Sequence, residues 1–167
     1  MSVTDELLGN NDAYAASFDK GSLPMPPARG VAVLACMDAR LDVHKILGLG
    51  EGDAHVIRNA GGVVSEDAIR SLVISQRLLG TTEIILIHHS DCGMLTFRDD
   101  EVKDQITADT GLRPSFALEA FPELDQDVRQ SIARLQASPF IPHKNIRGFV
   151  YDVAKGRLNE VHPTGAD

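Results

Sequence analysis

Apolar and polar positions alternate in blocks along the middle of this chain. Val31–Ala35 is a short continuous apolar run, which predicts a buried strand. Leu41–Leu49 reads as a short helix closed by Gly48, Gly50 and Gly52, and Ala54–Ile57 as a second strand. Ser65 is placed to cap a long helix, with Glu66 and Asp67 in its first turn. That helix carries Ala68, Ile69, Leu72, Val73, Ile74, Leu78 and Leu79, an apolar arc wide enough to predict burial on two sides, and Gly80 stops it. Glu83–Ile87 is the third and most apolar strand. Strands alternating with helices at this spacing predict an α/β fold with a mostly parallel sheet. Continuous apolar strands fit a sheet with helices on both faces.

Beyond the centre, Asp99–Thr110 reads as a polar, exposed helix. Leu124, Val128, Ile132 and Leu135 mark another with one apolar stripe, ended by Pro139 and Pro142. Ile146–Val153 and Leu158–Val161, joined at Lys155-Gly156, read as a strand, a turn and a strand. At the other end, residues 1–20 are polar with scattered anchors at Leu7, Leu8, Tyr14 and Phe18. GSLPMPPARG, residues 21–30, has three prolines and two glycines and reads as a linker. The expected organisation is an N-terminal arm and linker over 1–30 and one α/β domain over 31–167. The arm is either a loose terminus or a segment that docks on a partner subunit.

Composition narrows the function. A chain of 167 residues buries roughly 70% of its unfolded surface and needs no disulfides. A net charge of −8 argues against nucleic acid and against an anionic membrane surface as partners. The start has no signal-peptide pattern and no apolar run approaches the ~20 residues of a membrane span, so a cytoplasmic location is expected. There thiols stay reduced, and Cys36 and Cys92 are not expected to form a disulfide.

The polar residues that matter follow strand ends. Cys36, Asp38 and Arg40 follow the first strand, Arg58-Asn59-Ala60-Gly61-Gly62 the second, and His89, Asp91 and Cys92 the third. Ligands of open parallel sheets bind outside the carboxyl ends of the strands, so these clusters should converge. Cys36, His89 and Cys92 then supply two sulfurs and one nitrogen, a set that suits zinc, and three protein ligands leave a fourth position open for catalysis. The alternative is that both cysteines are small buried hydrophobes. His88 and His89 should point to opposite sheet faces. His89, at H-x-x-C spacing from Cys92, is the candidate ligand, and His88 a packed, hydrogen-bonded histidine. Asp91 is a possible ligand, but is better read as a cap for local backbone N–H groups. Asp38 and Arg40 are either a surface ion pair or a carboxylate poised beside the metal whose direction Arg40 decides. In the second case Asp38 accepts a hydrogen bond from zinc-bound water, or turns and closes the fourth position itself. Gly61 and Gly62 suggest a close-packed loop passing near the metal.

Together these residues resemble the β-class carbonic anhydrases, in particular the short bacterial and archaeal members. Cys36-Met37-Asp38-Ala39-Arg40 is similar to the family's C-x-D-x-R, Arg58-Asn59-Ala60-Gly61 to its R-N-A-G, and His89-Ser90-Asp91-Cys92-Gly93 to its H-T-D-C-G with serine for threonine. The resemblance runs from about residue 20 to the C-terminus. It implies one zinc ion per chain on Cys36, His89 and Cys92, with Asp38 as an occasional fourth ligand and Asp38 and Arg40 as the catalytic dyad. It places Asn59, Ala60, Gly61, Gly62 and Gly93 at the substrate pocket. It implies an antiparallel strand added to the parallel sheet, and a homodimer or homotetramer in which a helical N-terminal arm embraces the partner. The implied reaction is reversible hydration of carbon dioxide to bicarbonate and a proton. Hydrolysis of carbonyl sulfide or carbon disulfide is the first alternative, and a non-catalytic zinc-stabilised assembly protein the second. Two thiolates cancel the ion's charge, so activity is expected to rise with pH. His44, the histidine nearest the dyad in sequence, is a candidate proton shuttle. Plant-type members carry a glutamine ahead of the first cysteine; SLPMPPARG stands there in this chain.

Overall fold

The structure, a computed structural model, describes residues 2–163. The last four residues of the domain expected over 31–167 therefore lie outside the described residues. The elements run α1 (Val3–Ala16), β1 (Val31–Cys36), α2 (Val43–Leu47), β2 (Ala54–Asn59), α3 (Glu66–Arg77), β3 (Glu83–His89), α4 (Asp99–Thr110), α5 (Leu124–Ala137), β4 (Asn145–Asp152) and β5 (Arg157–Val161). The five strands form one sheet in the order β2-β1-β3-β4-β5. β1 pairs in parallel with β2 and β3, and β3 with β4. β5 folds back antiparallel on β4, as the Lys155-Gly156 turn predicts. The architecture is the expected α/β fold, mostly parallel with one antiparallel strand.

Local chemistry sets the ends of the elements. The Ser65 hydroxyl accepts a hydrogen bond from the Ala68 N–H and caps α3. Gly48, at φ +64°, ends α2 in a left-handed conformation that costs a glycine little. Every residue of β1 is buried, which is why its sequence is apolar without alternation.

Side-chain alternation divides the core in two. On one face α3 and α5 lay Ala68, Leu72, Val128, Ile132 and Leu135 on Ala32, Leu34, Ile84 and Leu86. On the other, the cover is the short α2 with the segments around Met94 and Phe121, packed on Val33, Ala35 and Ile87. Gly148 of β4 lets α5 approach closely: a Cβ there would lie 2.4 Å from Val128 Cγ1.

One expectation needs correction. α3 ends at Arg77, and its burial is one-sided within the chain: Ile74 and Leu78 are 40% and 71% exposed. Ile69, Val73 and Ile74 line an open groove of about 590 Å3 with Ala137 and Phe140 of the α5 end. The apolar arc is there, but the sheet and α5 cover only part of it. Residues 3–16 are helical, as the resemblance implies for the N-terminal arm. The helix has a Ser2–Asp5 capping box and buries none of its residues. No helix among the described residues is long and apolar enough to cross a membrane.

Candidate metal centre

The three polar clusters meet at the carboxyl edge of the sheet. Cys36 is the last residue of β1 and lies in register with Asn59, the last of β2. β3 pairs on the other side of β1 and ends at His89. The Cys36, His89 and Cys92 side chains are buried, and their ligand atoms all lie within 4.8 Å of one another. Asp91 is not in this group.

His89 is prepared for a ligand's work. Its Nδ1 lies 2.8 Å from the Ser90 carbonyl oxygen, which can only accept, so Nδ1 carries the proton. Nε2 then presents its lone pair to the two sulfurs, buried and without a hydrogen-bond partner. A histidine that donates its second N–H to a carbonyl is the usual arrangement of a metal-bound imidazole. Together with two sulfurs this fits a borderline-soft divalent ion. The thiols fit it too. Hydrogen bonding from Cys92 lowers the pKa of the Cys36 thiol, against the effect of burial, which favours a thiolate there. The same contact, with burial, pushes Cys92 up. Burial opposes a charge on His89, but the neighbouring Cys36 sulfur and the Ser90 carbonyl outweigh that and raise its pKa.

Adjacent residues take opposite faces. His88, equally inaccessible, points away from the cluster, and its Nε2 lies 2.7 Å from Asp127 Oδ2 on α5. Its ring packs at 5.5 Å from that of Phe121. It is the packed histidine the alternation predicts.

Beside the cluster, Arg40 holds Asp38 bidentately: Nε donates to Oδ1 at 2.9 Å and Nη2 to Oδ2 at 2.8 Å. The Arg40 hydrogen bonds hold the Asp38 carboxyl well below the usual carboxylate range, so it is ionised. Asp38 Oδ2 is 3.7 Å from His89 Nε2, near the cluster but turned to Arg40. The guanidinium also reaches across to the β3 loop, where Nη1 donates to Asp91 Oδ2 at 2.7 Å and Nη2 to the Asp91 carbonyl at 2.9 Å. The reading of Asp91 as a backbone cap is thus corrected: its carboxylate is taken by Arg40. Arg58, for which the sequence suggested no task, grips the turn below. Its Nη2 donates to the carbonyls of Cys36, at 2.8 Å, and Asp38, at 2.7 Å.

A pocket of about 300 Å3 opens over the cluster, walled by Ala60, Gly61, Gly93, Met94 and Phe97 with Met37 at its side. Its apolar wall suits a small uncharged molecule. Asn59 and Gly62 do not line it. The Asn59 side chain donates to the Val63 carbonyl at 2.8 Å. Gly62, at φ +70°, is wedged against the strands: a Cβ would lie 2.8 Å from the Cys36 nitrogen and 2.9 Å from the Ile87 oxygen. His44 faces a different hollow, shared with Asp42 and Arg58. Sequence reading missed Met94 and Phe97, because nothing local distinguishes a pocket wall from core.

Comparison with known proteins agrees with this geometry. Residues 31–158 match the carbonic anhydrase family model. The chain is 60% identical to Beta-carbonic anhydrase 1 of Mycobacterium tuberculosis, covering 98% of this chain and 100% of that one. A carbon disulfide hydrolase of Acidithiobacillus thiooxidans is 33% identical, over 97% of this chain and 92% of its own. Among solved structures, a carbonic anhydrase from Streptococcus mutans superposes with a TM-score of 0.91 at 44% identity, covering 97% of this chain and 99% of that one.

Proposed function

The chain belongs to the β-class carbonic anhydrases, and on that premise we propose that Cys36, His89 and Cys92 hold one zinc ion and that Asp38 and Arg40 are the catalytic dyad beside it. The reaction is reversible hydration of carbon dioxide to bicarbonate and a proton. One observation carries the assignment: a buried imidazole nitrogen with no partner faces two buried sulfurs, with an ionised carboxylate at its edge. Zinc bound there supplies the Lewis acid that makes a nucleophile of water near neutral pH.

The chain's own residues do the rest. Asp38 Oδ2, the carboxylate oxygen 3.7 Å from the free His89 nitrogen, accepts the hydrogen bond that orients the attacking water. Arg40 keeps that carboxylate turned aside from the three residues that would hold the ion. Released from Arg40, Asp38 would be free to turn its carboxylate to the cluster as a further donor and so compete with water. Ala60, Gly61, Met94 and Phe97 hold carbon dioxide by apolar contact and keep bulk water away.

The relative at 33% identity favours one second reading, hydrolysis of carbon disulfide or carbonyl sulfide in the same pocket. Identity of 60% to a carbonic anhydrase ranks carbon dioxide first. Residues 1–30 form an arm: Leu7, Leu8, Tyr14 and Phe18 stand exposed on or beside α1 and dock on a second subunit, giving a homodimer or homotetramer. Two thiol ligands suit the reducing cytoplasm.

The test is stopped-flow hydration by protein of verified zinc content, at mildly acid and at alkaline pH, with both sulfur substrates run in parallel. The expected result is one zinc per chain and fast hydration at alkaline pH that falls away in acid. A zinc-loaded protein inactive with carbon dioxide at both pH values overturns the reading. Turnover of a sulfur substrate alone installs the second.

A further inference from the structure

We propose that Asp91 is a positioning residue of the dyad, holding the Arg40 guanidinium by the edge that Asp38 does not use. The inference rests on the roles of Asp38 and Arg40 given above. Of the five N–H groups of that guanidinium, Nε and one on Nη2 go to the Asp38 carboxylate. One on Nη1 goes to the Asp91 carboxylate and the other on Nη2 to the Asp91 carbonyl. The two carboxylates therefore grip two different edges of one rigid plane. When Asp38 swings toward the cluster, Arg40 keeps both bonds to Asp91 and does not follow it. The seat to which Asp38 returns stays in place, a preorganised partner rather than a mobile side chain.

Stability does not account for this arrangement. The Asp91 side chain is 79% exposed and that of Arg40 47%, and exposed ion pairs stabilise a fold by little. Asp91 also sits at φ +55°, where an aspartate is less comfortable than a glycine. Backbone preference alone would place glycine here. Glycine would keep the carbonyl that accepts from Nη2 and lose the carboxylate that holds Nη1.

This conflict makes the test discriminating. Asp91→Gly removes the carboxylate while easing the backbone; Asp91→Asn keeps an acceptor without the charge. Each is made in the full-length, zinc-loaded enzyme and in an Arg40→Ala background. In the native background Asp91→Gly is expected to lower kcat about tenfold, with a smaller loss for Asp91→Asn, since misplacing a positioned group by an ångström can cost a hundredfold. KM and zinc content stay unchanged, and the unfolding midpoint does not fall. In the Arg40→Ala background both substitutions change kcat by less than about twofold, because a residue that acts through another has nothing left to act on. Nitrogen-15 NMR provides a readout besides turnover: the Arg40 Nε–H resonance is expected to exchange faster in Asp91→Gly than in the native protein. Native kcat in Asp91→Gly, losses that add to that of Arg40→Ala, or loss of zinc each overturn the proposal while leaving the dyad intact. Full activity in Arg40→Ala removes the dyad reading and this inference with it.

Discussion

On one face of the sheet, α3 and α5 press Leu72, Val128, Ile132 and Leu135 onto Leu34, Ile84 and Leu86, and almost everything between is hydrocarbon. On the other face the cover is five residues of α2 and irregular chain around Met94 and Phe121, and two thiols and an imidazole are embedded at its edge. The contrast is visible within one dipeptide. His88 turns to the helical face, where its Nε2 meets Asp127 and its Nδ1 has no partner; His89 turns to the loop face, where its unpartnered Nε2 meets two sulfurs. The helical face fixes where the strand ends lie. The loop face can then carry side chains chosen for chemistry, because short segments leaving different strands bring them together.

The largest expected effect on the loop face comes from a ligand. Cys92→Ser should weaken zinc binding by at least about a hundredfold, since loss of a mere supporting partner costs ten to a hundred. Chelator competition measures this, and the unfolding curve of the metal-free protein should barely move. On the helical face the order reverses. Leu86→Ala, fully buried, should cost about 2–5 kcal/mol in urea unfolding while the folded protein still binds one zinc. If it instead lost zinc with its fold intact, the two faces would not be separable. Asp127→Ala asks the same of a polar group. It strands a buried His88 N–H at a cost of about 1–3 kcal/mol, and zinc content should hold although the ligand His89 is the next residue.

A smaller and pH-dependent effect belongs to Asp99, which pins the chain returning from α4 to the loop face. Its carboxylate accepts the N–H groups of Leu118, Glu119 and Ala120. Burial pushes its pKa up, but these three bonds, Ala120 foremost, outweigh burial and hold it below the usual value. The folded-state pKa is therefore below the unfolded one. The contribution is complete above the unfolded value of about 3.9 and is lost as pH falls through the folded one. Asp99→Asn should cost about 1 kcal/mol at neutral pH, and its unfolding curve should merge with the native one in acid.

Much of this division was legible in the sequence. Period-two alternation separates His88 from His89, and the strand ends name the three ligand candidates before any coordinate is known. Ser65 announces its helix by its own hydroxyl. What could not be read depends on tertiary approach. Asp91 meets Arg40 across 51 residues, and no local pattern reports that. Arg58 acts on carbonyls, which every residue has. The apolar arc of α3 states that the helix wants cover, not what supplies it, so burial on two sides was expected where one side is open.

The proposed ligand set also fixes an order of events. Cys36 leaves β1, while His89 and Cys92 leave β3, with α2, β2 and α3 threaded between. A nascent chain that has completed β1 offers a metal one thiol and nothing else. Capture requires β3 to be made and paired with β1, a long-range parallel contact of the kind that forms slowly. Because the metal needs the assembled ligand set and not the unfolded chain, zinc uptake during refolding should report the moment at which β1 and β3 zip together.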